Sequence, residues 1–359
     1  MEIKRKNYTV HVGDPILYVD NESRNRSGHM SHAMAEFAPG KIIDFNSNCS
    51  AAIYQGHSTF GFLEYRISED GGKSFSEPRV FPYSMKQLLD GIHTVSVEKV
   101  LALKDGRILT FCLLNDAHAL CEPWSTPPVC ITSDDGGKAW SEAKKVFPHC
   151  GRIYDAILHN GIIYVIQFCN DATVSFLGNK PEHVYRLYTS KNDGESFEEL
   201  CVVPTETMGR SYASIIFDKD ERLHLYTYDV NAEHDPDHLV SKDFGKTFES
   251  LGKCHLAKGS RNIQTAYMNG IFVLHCRGEE INRNKFALYT SENGHDWDEG
   301  EFIDKTEFGT CFYSNNLLLK DGDEERLLIQ YSHSYFEKCV NVRHMWLSIE
   351  KNAGAEKEQ

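Results

Sequence analysis

Short apolar runs of strand length recur along the whole chain, separated by turns rich in glycine, asparagine and aspartate. Residues 62–67 and 184–188 alternate apolar with polar positions or are apolar on both faces, as half-buried and buried strands do. A longer unit, apolar strand, turn and apolar strand, occurs six times, at 33–43, 100–111, 156–165, 215–225, 267–274 and from 316 onwards. Five of the six turn at a glycine: Gly40, Gly106, Gly161, Gly270 and Gly322. The pattern predicts six inner hairpins and an all-β chain.

A second element confirms the period. Ser-x-Asp-x-Gly-x-x-aromatic appears as Ser68, Asp70, Gly72, Phe75 and again as Ser133, Asp135, Gly137, Trp140. Further copies are Ser190, Asn192, Gly194, Phe197 and Ser241, Asp243, Gly245, Phe248, with a degenerate fifth at Thr290, Glu292, Gly294, Trp297. They are spaced by roughly 50 to 65 residues, which suits four short strands and their loops per repeat. The third residue accepts bonds from downstream backbone N–H groups, the glycine supplies a positive φ, and the aromatic packs the hairpin between neighbouring sheets. The aspartates are therefore turn-makers rather than catalysts. After Tyr313 the sequence reaches only residues 345–349 before a polar tail, which leaves the sixth sheet short of its outer strand. Residues 8–12 are the natural donor, pairing first with last. The expected architecture is a single six-bladed β-propeller over residues 1–350, with four-stranded antiparallel blades, a ring closed by the N-terminal strand, and a polar tail at 351–359.

Charge and composition narrow the function. The net charge of −14 argues against nucleic acid or an anionic membrane as partner. No apolar run is long enough to cross a bilayer. The start of the chain has a basic cluster without the apolar core of a signal peptide. The 11 cysteines show no C-x-x-C pair and no ordered spacing, and Cys112, Cys169 and Cys276 sit inside apolar runs. They read as buried free thiols, which points to a cytoplasmic protein.

The repeated turns, the hairpin order and the ring closure resemble the sialidase (neuraminidase) superfamily of aspartate-box, or BNR-repeat, propellers over nearly the whole chain. The resemblance implies a glycosidase. The segment Gly309, Thr310, Cys311, Phe312, Tyr313, Ser314 looks like the one that supplies that family's tyrosine nucleophile in the last blade. A tyrosine needs a carboxylate beside it to take its proton. Elsewhere the chain departs from the family. His29 stands where the first carboxylate-binding arginine would be, Tyr212 occupies the register of the acidic partner, and an arginine normally ending that hairpin is replaced near Tyr228.

Aligning the hairpins on their turns gives an independent route to a site, because inner propeller strands begin around the central axis. Ser31, Val97, Arg152, Tyr212, Arg261 and Tyr313 fall at equivalent places, with His29, His32, His93, Asp155 and Arg210 nearby. The other ends of the hairpins contribute Asn46, Asn115, Asp116, His118, Asn170, Asp229, Arg277 and Glu279. The expected substrate-binding set is His29, His32, His93, Arg152, Arg210, Tyr212, Arg261 and Arg277, with Tyr313, Asp155 and Asp116 as catalytic candidates. Arginines at strand starts can also simply pair with acidic neighbours. The spacing His29-x-x-His32 has no evident third ligand, so no metal is expected. No phosphate loop or nucleophile elbow is present and no cofactor is implied.

Three functions compete. A hydrolase for acidic oligosaccharides, sialic-acid-like or uronate-bearing, would use arginines on the carboxylate, Tyr313 or a carboxylate on the oxocarbenium-like state, and an aspartate as proton donor. A uronate lyase would use His and Tyr as base and acid. A carbohydrate- or protein-binding propeller would turn nothing over.

Overall fold

The computed structural model describes residues 1–52, 60–116, 126–170, 177–278, 284–308, 311–322, 324–337 and 339–352. It is a six-bladed propeller of antiparallel sheets, with one short helix, Pro82–Leu88, among the described residues. The inner strands are Ala33–Ala38, His93–Ala102, Gly151–His159, Arg210–Phe217, Arg261–Met268 and Ser314–Asp321. Each leads through a tight turn into a second strand: Lys41–Ser50, Ile108–Asp116, Ile162–Cys169, Leu223–Asp229, Ile271–Gly278 and Glu324–Phe336. Second strands are covered by sheets on both sides. Leu223–Asp229 is buried at every position, whereas the outermost strand of the same blade, Glu249–Lys253, is exposed at every position. Hydrophobic cores accordingly lie between blades, as where Tyr164, Ile166 and Tyr185 of blade three meet Ile215, Leu223 and Leu225 of blade four.

The ring closes as the pattern predicts. Tyr8–Val12 pairs antiparallel with Cys339–Lys351, with Val10 opposite Ile349, and so completes the sheet begun by the last hairpin. The C-terminal strand runs to Lys351, and Asn352 donates from its backbone to Asn7 O at 2.9 Å, so the pairing includes residues beyond 350. Blade one is the irregular one. Its inner edge is split into Arg26–Ser27 and Ala33–Ala38, both paired to Lys41–Ser50, and residues 28–32 leave the sheet between them.

The repeated turns work through side chains. Ser68 Oγ accepts from Gly72 N at 2.8 Å, while Asp70 Oδ1 accepts from Lys73 N at 3.1 Å and Ser74 N at 2.9 Å. Gly72, Gly137, Gly194, Gly245 and Gly294 all have φ between 76° and 85°, a region that favours glycine. The turn aromatics reach the preceding blade. Trp140 of blade two lies 4.9 Å from Phe81 and 5.6 Å from Tyr65, and Trp297 of blade five lies 5.8 Å from Tyr226. The fifth turn corrects the sequence register. Ser291 and Asn293, not Thr290 and Glu292, hold the backbone: Gly294 N bonds Ser291 Oγ at 2.9 Å, and His295 N and Asp296 N bond Asn293 Oδ1 at 2.9 Å. An amide oxygen one residue later closes a turn that is one residue shorter.

Candidate functional site

Because each hairpin is antiparallel, the start of its first strand and the end of its second lie on one rim. Arg261 is paired with Arg277, Arg210 with Asp229 and His93 with Asp116. The two residue sets read from sequence therefore share one face. His118 and Glu279 lie outside the described residues.

A pocket of about 60 Å³ opens at the centre of this face, lined among others by His32, Glu98, Arg152, Tyr154, Tyr212, Asn262 and Tyr313. The backbone aims these side chains inward. Four consecutive inner strands carry one extra residue where they enter the ring: Glu98 in blade two, Tyr154 in three, Tyr212 in four, and one of Asn262 and Ile263 in five. A bulge breaks the strict alternation of faces and re-aims its side chain. Blades one and six use left-handed residues instead, Ser31 at φ 66° and Phe312 at 61°, and Asn262 is also left-handed at 58°. Such backbone costs about 1–3 kcal/mol per residue and clusters at functional sites.

Tyr313 is the hub. The guanidinium carbon of Arg277 lies 4.7 Å from the centre of its ring, and the His29 ring meets it edge-on at 4.6 Å. Arg277 is only 3% exposed, and among the described residues its Nε and Nη2 have no hydrogen-bond partner. Arg261 lies over two more tyrosines, 5.7 Å from the Tyr228 ring and 6.0 Å from Tyr212. Glu233 lies 3.9 Å from it and accepts a 2.5 Å bond from Tyr228 Oη. Arg152 donates from Nε to Glu98 Oε2 at 2.7 Å. Among the described residues, the guanidinium groups of Arg152, Arg261 and Arg277 thus all lie against tyrosine rings of this face. Burial holds His32 far below the usual histidine range, at about 3, so it is a neutral imidazole.

The other sequence candidates have different surroundings. Arg210 pairs with Asp237 at 2.9 Å and Asp229 at 3.1 Å, away from the pocket lining. His93 sits at the rim with its Nδ1 2.5 Å from Asp90. Asp116 stands opposite His93, at the end of the second strand of blade two. Asp155 lies beneath the pocket. One oxygen accepts from Lys99 Nζ at 2.9 Å and the other from Ser214 Oγ at 2.8 Å and Ile215 N at 3.0 Å. Lys99 also donates to Gln264 Oε1 at 2.9 Å and Asn315 Oδ1 at 2.7 Å. This polar layer separates the pocket from a cavity of about 440 Å³ on the opposite face. Among the described residues no three His, Cys, Asp or Glu side chains are placed to hold a metal ion. Reasoning from sequence missed Glu98, Lys99, Tyr154, Asn262, Gln264 and Asn315. The only signal for Glu98 and Lys99 was a charged pair inside the apolar run 95–101.

No family model matches the sequence, and no curated protein matches it. Solved structures do. A protein of unknown function from Dyadobacter fermentans superposes with a TM-score of 0.70 at 14% identity, covering 95% of this chain and 99% of that one. The Hadza microbial sialidase Hz136 gives 0.68 at 14% identity, over 93% of this chain and 67% of that one. Trypanosoma rangeli sialidase bound to the inhibitor DANA gives 0.58 at 10% identity, over 92% of this chain and 55% of that one. The fold is that of the sialidase propellers. At these identities the likeness is one of architecture, and the chain spans about half of the T. rangeli enzyme.

No helix among the described residues is long and apolar enough to cross a membrane, and the ten described cysteines are all free.

Proposed function

We propose that this protein is a glycoside hydrolase for acidic oligosaccharides, sialic-acid-like or uronate-bearing, with its centre at Tyr313. The observation that carries the reading is Arg277: a buried guanidinium on the Tyr313 ring with two N–H-bearing nitrogens unpaired among the described residues. Burying such donors without a partner costs free energy that a carboxylate would return through two parallel charge-assisted bonds. Arg261, paired with Arg277 in the same hairpin, supplies a second cation beside it. The tyrosine oxygen then lies where positive charge develops at the anomeric carbon, as nucleophile or as electrostatic partner. The pocket's 60 Å³ suits one substituent of a sugar ring, with the ring itself at the mouth. Sialidases among the structures of like fold support a sugar substrate.

Within this scheme His29 and His32 shape the wall beside Tyr313, and Tyr212 flanks Arg261. Arg210 and Asp155 hold the scaffold, and His93 and Asp116 border the rim. The contact of His29 with Tyr313 favours a second reading, a uronate lyase in which the two share the proton transfers. Turnover of sialylated, uronate-bearing and neutral oligosaccharides by wild type, Tyr313→Phe and Arg277→Lys separates these. The hydrolase reading expects release of a hydrated acidic sugar. Tyr313→Phe should abolish it, and Arg277→Lys should raise KM at least tenfold, about 1.4 kcal/mol, through loss of bidentate binding. A product lighter by one water makes it a lyase. Binding without turnover leaves a lectin-like propeller.

A further inference from the structure

Among the described residues, the carboxylates in and around the pocket differ in what their oxygens already do. Asp155 lies below the lining and accepts on both oxygens. Glu233 Oε1 is taken by Tyr228. Glu98 is different: Oε2 accepts from Arg152 at 2.7 Å, while Oε1 is buried with no hydrogen-bond partner among the described residues. Its side chain is 4% exposed and lines the same pocket as Tyr313. It arrives there through a β-bulge, since Val97 pairs with Cys112 and Lys99 with Phe111, leaving Glu98 as the extra residue. Regular pairing would alternate this position to the other face.

We propose that Glu98 is the proton donor to the glycosidic oxygen and that Arg152 positions it. This rests on the hydrolase reading above. Glu98 Oε1–H gives its proton to the leaving oxygen as the bond to the anomeric carbon breaks, the electron pair staying with that oxygen. Water then adds to the anomeric carbon, and its proton returns to Glu98. One water is consumed, one hydroxyl forms on each fragment, and the carboxyl is regenerated. Burial pushes the Glu98 carboxyl upward, offset in part by the charges of Arg152 and Lys99, so it keeps its proton to higher pH than an ordinary glutamate. Arg152 is fixed in turn, its guanidinium carbon 5.4 Å from the Tyr154 ring.

The test uses leaving groups of unequal need. Glu98→Gln and wild type are assayed on sialyl- and glucuronyl-oligosaccharides and on the 4-nitrophenyl glycosides of the same sugars, with melting temperatures alongside. Loss of a general acid costs about 100- to 10,000-fold where the leaving oxygen must be protonated. The oligosaccharides should lose that much and the nitrophenyl glycosides less than about tenfold, because nitrophenolate leaves unaided. Glu98→Asp, which withdraws the carboxyl by one methylene, should show the same split and serves if the glutamine variant does not fold. Equal losses on both substrate types, or none, would overturn the assignment. A folded wild type that hydrolyses neither type removes the hydrolase reading itself, and this proposal with it.

Discussion

Asp155→Asn separates scaffold from chemistry most sharply. The carboxylate is 5% exposed and lies 2.9 Å from Lys99 Nζ, itself 11% exposed. Replacing it leaves the Lys99 cation buried without its ion-pair partner, hydrogen-bonded to the neutral oxygens of Gln264 and Asn315. Breaking one side of a buried ion pair costs about 3–5 kcal/mol, because the other charge is stranded. At about 2.1 cal/mol/K per residue, a chain of 359 residues has an unfolding entropy near 0.75 kcal/mol/K, so this loss lowers the melting temperature by about 4–7 °C. Lys99→Met should cost a similar amount. The double variant Lys99→Met, Asp155→Asn should cost less than the sum, since neither charge remains. Scanning calorimetry reads all three, and kcat well below the melting transition should stay within about threefold of wild type in Asp155→Asn. An unchanged melting temperature with a hundredfold loss of kcat would refute the reasoning and make Asp155 a catalytic acid.

Three further outcomes are expected. Burial depresses His32 and His275 to about 3 and His238 to about 2, all below the ordinary histidine value. The unfolded chain therefore binds more protons below about pH 6.5, and stability present above that pH is lost as pH falls toward the folded values. Each group contributes up to about 1.4 kcal/mol per pH unit, so thermal melts should change little from pH 7.5 to about 6.5 and fall from there to pH 5, and a profile flat down to pH 5 would contradict the burial. Trp140→Ala, which removes the ring between Phe81 and Tyr65, should cost about 3 kcal/mol by denaturant titration. Deleting residues 1–12 removes buried Ile3, Tyr8, Val10 and Val12 and bares the edge of Cys339–Lys351. At about 1.5–3 kcal/mol per side chain, the loss of 6 kcal/mol or more should yield aggregated protein, whereas a soluble monomer with an unchanged melt would overturn the closure.

The fold was legible because its signals are local. A glycine turn, an apolar run on each side and a serine-aspartate turn can each be read within about ten residues, and five or six copies in phase leave one architecture. Even the closure could be read, since the last sheet lacked a strand and residues 8–12 offered one. Register inside a degenerate turn could not, because Thr290 and Ser291 both offer a hydroxyl and only packing chooses between them. The site was half legible. Tyr313, Arg152, Arg261 and Tyr212 reached the pocket or its wall because strand starts converge on the axis. Arg210 stood close to such a place, two residues before Tyr212, but Asp229 and Asp237, brought to it by pairing within its blade, hold it elsewhere. Glu98 was hidden by its bulge: in the run 95–101 it reads as an ordinary outward position, and only the mismatch with the neighbouring strand turns it inward. Asp155 was the converse case, a carboxylate beside an arginine in sequence whose real partner, Lys99, comes from the preceding blade.

The central claim, hydrolysis of an acidic sugar at Tyr313, is tested most directly by turnover of the oligosaccharide panel in heavy-oxygen water, followed by mass spectrometry. The account predicts an acidic monosaccharide carrying one heavy oxygen, formed by wild type and absent with folded Tyr313→Phe. An unsaturated product without the label, or no product from any acidic glycan, would contradict it.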